Sequence, residues 1–157
     1  MNKRIAVFFI FAAFILSQDE TTNFVLESYF SAIIVSDIDS STPWYKSLLN
    51  LDQLDRIENN ERGFKIAILA NDKVLIELIE FKNGITKKSA LENLAENKRL
   101  IGHFKIGYRV GDFEEWHRRL ENMDIEFYGK TFTDRNLGKR SFIILDPDGN
   151  YIQFFER

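Results

Sequence analysis

The chain has 157 residues, 45% of them hydrophobic, 29% charged and 14% aromatic, the make-up of one folded domain rather than a disordered segment. Its 21 lysines and arginines stand against 24 aspartates and glutamates, a net charge of -3, so the attraction that drives nonspecific nucleic-acid binding is missing. No cysteine is present, which excludes disulfides, cysteine-ligated zinc, iron–sulfur centres and a thiol nucleophile.

Lys3 and Arg4 precede an unbroken apolar run over residues 5–16, and a polar stretch begins at Ser17. As a helix this run reaches about 18 Å, short of a bilayer core of about 30 Å. The pattern predicts a secretory signal peptide over residues 1–17 with processing near Ser17/Gln18, and so an exported, periplasmic or secreted protein with no membrane attachment once cut. Because no A-x-A cleavage site is present, a hydrophobic N-terminal helix or tether is the alternative.

The rest of the chain, residues 18–157, is expected to be one domain built from two copies of a unit. Val35-Ser36-Asp37-Ile38 matches Val110-Gly111-Asp112-Phe113 at an offset of 75, and the same offset pairs Tyr45 with Leu120 and Leu48 with Met123. Ile66-Ala67-Ile68-Leu69 matches Phe142-Ile143-Ile144-Leu145, and Ile76-Glu77-Leu78-Ile79-Glu80 matches Ile152-Gln153-Phe154-Phe155-Glu156, both at 76. In chain order the first copy, residues 28–81, predicts a strand over 29–35 and a helix capped by Ser41 or Thr42, with Pro43 near its first turn and Tyr45, Leu48 and Leu49 facing inward. Strands follow near 54–57, 65–69 and 74–81.

A polar linker over 82–102 comes next, with a short helix marked by Leu91, Leu94 and Leu100. The second copy, residues 103–156, predicts a strand over 104–110, a helix with Phe113, Trp116, Leu120 and Met123 on its apolar face, and strands near 125–128, 141–145 and 151–155. Each unit therefore reads βαβββ. Asp146-Pro147-Asp148-Gly149-Asn150 reads as a turn, not a calcium loop, because the twelfth position from Asp146 is Arg157 where a closing Glu is needed. P-loop, GxGxxG, HExxH and GxSxG motifs are absent.

Two βαβββ units, a V-S-D-x-x-x-S followed by W-Y-K-S-L-L-N-L, and the closing D-P-D-G-N-Y-I-Q-F resemble the glyoxalase, bleomycin-resistance and dioxygenase group, the vicinal oxygen chelate (VOC) superfamily, over about residues 28–156. The resemblance implies an α+β fold in which two βαβββ modules form a cupped mixed sheet in a single domain. It also implies that metal-dependent relatives hold a divalent ion with one residue from the first and one from the last strand of each module. In this chain those positions carry Phe30, Glu77, Lys105 and Gln153. A phenyl ring has no lone pair and an ammonium repels a cation, so no tightly held metal is expected; Glu77 with His103, two residues before Lys105, is the alternative metal set.

Alternation puts Phe104, Ile106, Tyr108 and Val110 on one face of their strand and Lys105, Gly107 and Arg109 on the other, with Phe30, Ala32 and Ile34 as the matching face in the first copy. Glu77 lies between Leu75 and Ile79, and Gln153 between Tyr151 and Phe155. Burying Glu77 alone costs several kcal/mol, so a Glu77–Lys105 ion pair is expected where relatives keep a metal, as a ligand-binding or a purely stabilising feature. Arg140 is expected either at the cup mouth, facing an anionic ligand, or out in solvent.

Two functions follow. One is a small-molecule binding protein without a cofactor, using Phe30, Glu77, Lys105, Arg140, Tyr151, Gln153 and Phe155. The other is a lyase, isomerase or dioxygenase of the same group with a reduced metal site, or with Glu77 as a metal-free general base. The partner is expected to be a small molecule, with neither nucleic acid nor membrane, and the resemblance allows a homodimer.

Overall fold

The computed structural model describes residues 30–92 and 101–157; the expected signal segment and most of the linker lie outside them. The first module comprises β1 (Ser31–Ile34), α1 (Ile38–Leu49), β2 (Asp52–Asn59), β3 (Phe64–Ala70) and β4 (Leu75–Phe81). A short helix, α2 (Lys87–Leu91), leads away from it. The second module comprises β5 (Lys105–Val110), α3 (Phe113–Asn122), β6 (Phe132–Asp134), β7 (Lys139–Leu145) and β8 (Tyr151–Glu156).

Each module forms a four-stranded sheet of the same order, β1-β4-β3-β2 and β5-β8-β7-β6. In both, the first strand runs parallel to the last while the hairpin strands are antiparallel. The helix between first and second strands returns the chain across one face, which is hydrophobic along β1, β3, β4, β5, β7 and β8, whereas β2 places Arg56 and Glu58 on it. A single core results, in which Ile33, Ala67, Leu69, Ile76 and Leu78 of one sheet meet Val110, Phe142, Ile144, Ile152 and Phe154 of the other, with Tyr45, Leu48, Phe113 and Leu120 supplied by the helices. The fold is α+β in one domain, as expected.

Three local expectations change. First, α1 begins at Ile38, capped by Asp37, whose carboxylate accepts from the Asp39 N–H; Ser41 and Thr42 are buried inside the helix and Pro43 lies in its interior. Asp112 caps α3 by accepting from Glu115 N–H, so the duplicated Asp is the start signal of both helices. Second, residues 125–128 run beside β7 without becoming a strand. Tyr128 N–H donates to Ile143 and Leu145 N–H to the Glu126 carbonyl, but Gly129, at φ +81°, turns the chain and β6 starts only at Phe132. Third, the hairpin registers place β3 and β7 at an offset of 75, not 76. Glu77 pairs with Ile68 and Gln153 with Ile143, so Lys65 and Arg140 are equivalent residues.

The two modules are joined by the β7–β8 turn. Asp146, buried, accepts the Tyr45 hydroxyl at 2.6 Å and the N–H groups of Asp148 and Asn150, while Asp148 accepts the Ser36 N–H of the first module at 3.0 Å. Gly149 takes φ +77°, the left-handed conformation the turn requires.

Candidate functional site

Each sheet has a second face that neither α1 nor α3 covers, and register fixes what stands there. In the first sheet a row runs Ala32, Glu77, Ile68, Asp55 from β1 to β2. The equivalent row in the second sheet is Gly107, Gln153, Ile143. Glu77 and Gln153 therefore occupy the centre of matching faces, as alternation indicated.

Their surroundings differ. Glu77 is half-buried between Leu75 and Ile79 and has neither a hydrogen-bond nor an ion-pair partner among the described residues. Gln153 is fully buried; its Nε2 donates to Ser141 Oγ at 2.6 Å, Ser141 Oγ donates to the Phe154 carbonyl at 2.8 Å, and Gln153 Oε1 has no partner among the described residues. Gly107 explains part of this closure. A Cβ there would come within 3.2 Å of the Phe155 ring, so the missing side chain lets that ring lie over the strand.

Phe30 stands at the start of β1, 62% exposed. Tyr151, half-buried, pairs with Lys105 in the ladder and its ring lies 4.7 Å from Tyr128 and 5.2 Å from Phe104. Phe104 therefore joins this aromatic group rather than the core face expected of it.

Two expected placements are corrected. The Glu77–Lys105 ion pair does not form. Lys105 lies exposed on the edge strand β5, its ammonium 6.0 Å from the Phe104 ring, where water solvates the charge and removes the burial penalty that would have forced pairing. Arg140 is on the helix-covered side, not at an open face. It makes a bidentate contact to Glu156 at 2.8 and 3.0 Å, an ion pair to Glu114 of α3, and stacks over the Phe113 ring at 4.8 Å. Its duplicate Lys65 does the same work in the first module, bonding Glu80 at 2.9 Å while Glu80 accepts the Ile38 N–H of α1. These pairs depress both carboxyls below the usual value near 4.5, Glu80 through the Ile38 N–H and then Lys65, Glu156 through Arg140.

The donor set does not suit a divalent ion. Phe30 and Lys105 offer no lone pair to a cation, Gln153 offers only the neutral oxygen of a fully buried amide, and among the described residues no three His, Asp or Glu side chains come together as a metal set. His103 lies instead in a cavity of about 680 Å³ at the junction of the modules, with Ile34, Ser36, Phe81, Lys87, Asp148 and Asn150. No single stretch of sequence announces that cavity, because its walls come from four separated segments.

Paired βαβββ modules with the D-P-D-G-N turn closing the second define a class, and comparison with known proteins gives it a family. The model of the Glyoxalase/Bleomycin resistance protein/Dioxygenase superfamily matches residues 26–154, and the chain belongs to that superfamily. The uncharacterized protein YwbC of Bacillus subtilis (strain 168) is 26% identical over 127 residues, 81% of this chain and 94% of that protein. Among solved structures, a glyoxalase family protein from Enterococcus faecalis superposes with a TM-score of 0.71 at 19% identity, covering 83% of this chain and 97% of that one. The trypanothione-dependent glyoxalase I of Leishmania major gives 0.60 at 19% identity, covering 83% and 87%.

Proposed function

We propose that this glyoxalase-superfamily chain binds a small molecule on its uncovered sheet faces without a tightly held metal. The observation that carries this reading is the residue set at the four positions where metal-dependent relatives place ligands: Phe30, Glu77, Lys105 and Gln153, of which only Glu77 is an anionic oxygen donor. Around them Phe30, Tyr151 and Phe155 offer aromatic surface, and Glu77 and Lys105 offer opposite charges with no salt bridge to other described side chains. Arg140 leaves the ligand-binding set, its guanidinium being occupied by Glu156 and Glu114.

In the same reading the protein is exported after loss of residues 1–17, and two copies associate through apolar side chains left bare on the open faces, such as Phe30 and Leu75. Intact Met1 on cytosolic protein contradicts export, and a monomer in sedimentation at tens of micromolar contradicts association.

The second reading, a lyase, isomerase or dioxygenase, rests on Glu77, a half-buried carboxylate without a partner among the described residues and a suitable general base. Native mass spectrometry of protein from its own source tests both readings. A retained organic mass that Glu77→Gln loosens supports binding, whereas a substrate turned over by the wild type and not by Glu77→Gln supports the enzyme.

A further inference from the structure

The cavity at the module junction is separate from the four central positions, since Phe30, Glu77, Lys105 and Gln153 do not line it. Its walls are the end of β1, the loop after β4, the segment before β5 and the β7–β8 turn. The bond from Ser36 N–H to Asp148 Oδ2 ties two of these walls together across the modules. At about 680 Å³ it falls within the range of small-molecule sites, roughly 300–1,000 Å³.

Two features fix the chemistry of an occupant. Ile34 and Phe81 are large apolar side chains left 59% and 39% exposed there, so covering them is favourable. Lys87 is half-buried and held over the Tyr151 ring at 5.6 Å, and no carboxylate among the described residues pairs with it. The acid in the wall, Asp148, keeps its charge while its Oδ2 accepts the Ser36 N–H, so an anionic group on a ligand is set away from it and against the Lys87 ammonium, the one Lys or Arg of the described lining, with His103 and Asn150 as further polar contacts. We propose that this junction cavity is a second binding site, one that takes a compact molecule with an apolar body and a single anionic group, the anion set against Lys87 and the body against Ile34 and Phe81.

Two fluorescent probes test it: 1-anilinonaphthalene-8-sulfonate, which carries the anion, and N-phenyl-1-naphthylamine, which does not. Both are expected to bind the folded chain, the sulfonate more tightly. Lys87→Gln is expected to weaken the sulfonate about tenfold, the worth of one charge-assisted contact, and to leave the neutral probe unchanged. Phe81→Ser is expected to weaken both, and Glu77→Gln neither, which separates this cavity from the site proposed above. An unchanged sulfonate affinity in Lys87→Gln, or fluorescence lost in Glu77→Gln instead, overturns the proposal, as does an absence of binding by either probe. Near-UV circular dichroism of Lys87→Gln keeps the result readable, since an altered native signal would transfer the test to Lys87→Arg, expected to restore sulfonate binding.

Discussion

The Asp146 carboxylate accepts four hydrogen bonds from described residues, from the Tyr45 hydroxyl, the Asp148 and Asn150 backbone amides and the Asn150 side chain. Burial, and then the adjacent carboxylate, holds the Tyr45 phenol above its usual value near 10, so it remains a neutral donor. Bonds to charged groups contribute about 1.5–3 kcal/mol each, and a buried hydroxyl stripped of its acceptor costs about 1–3 kcal/mol. Asp146→Ala is therefore expected to lower stability in urea melts by about 3 kcal/mol or more, and Tyr45→Phe by about 1–2 kcal/mol. Losses below about 0.5 kcal/mol in both would show that the turn is not what joins the modules.

Glu80 and Glu156 give a second test at this scale. A carboxyl depressed in the folded state contributes stability that is present above its unfolded value, near 4.5, and is lost as pH falls through the folded value. Thermal midpoints should hold from neutral pH to about 5.5 and fall below about 4.5, and Arg140→Met should flatten part of that fall by releasing Glu156. A profile in Arg140→Met as steep as in the wild type would contradict the assignment of Arg140 to Glu156.

The helices test the reading of their starts. Asp37→Ala and Asp112→Ala should each cost about 1 kcal/mol, the usual worth of an N-cap. Pro43, exposed in the interior of α1, cannot donate to the Asp39 carbonyl one turn back. Pro43→Ala restores that bond and should stabilise the protein by about 1 kcal/mol, once the larger freedom of the unfolded chain is set against it. A destabilised Pro43→Ala would mean that the proline has a packing role.

Pro43 is also why the start of α1 is hard to read in the sequence: after Ser41 and Thr42 it imitates a first-turn proline, and the true cap was legible only through the match of Asp37 with Asp112. Strand faces were legible because alternation has one period and one buried side; Glu77, Gln153 and Gly107 fall where it puts them. The offset of β3 was not, because its apolar run matches the second copy almost equally well shifted by one residue. That slip hid the equivalence of Lys65 with Arg140, and with it the reason Arg140 faces a helix.

For the molecule as a whole, duplication in the sequence was enough to give two βαβββ modules, and with the D-P-D-G-N-Y-I-Q-F close it gave the superfamily. It could not give ion pairs between modules, because those depend on how far apart residues of two sheets stand; Lys105 found solvent and a ring rather than Glu77. The junction cavity was equally invisible, since only the folded chain brings Phe81, Lys87 and Asp148 together. On the proposed reading, the open faces keep the frame of the superfamily's metal-dependent members with the donors replaced. Elemental analysis of the full chain after exhaustive dialysis tests that claim directly. The account predicts far less than one transition metal per chain, with no change on Glu77→Ala; a stoichiometric metal that Glu77→Ala abolishes would contradict it.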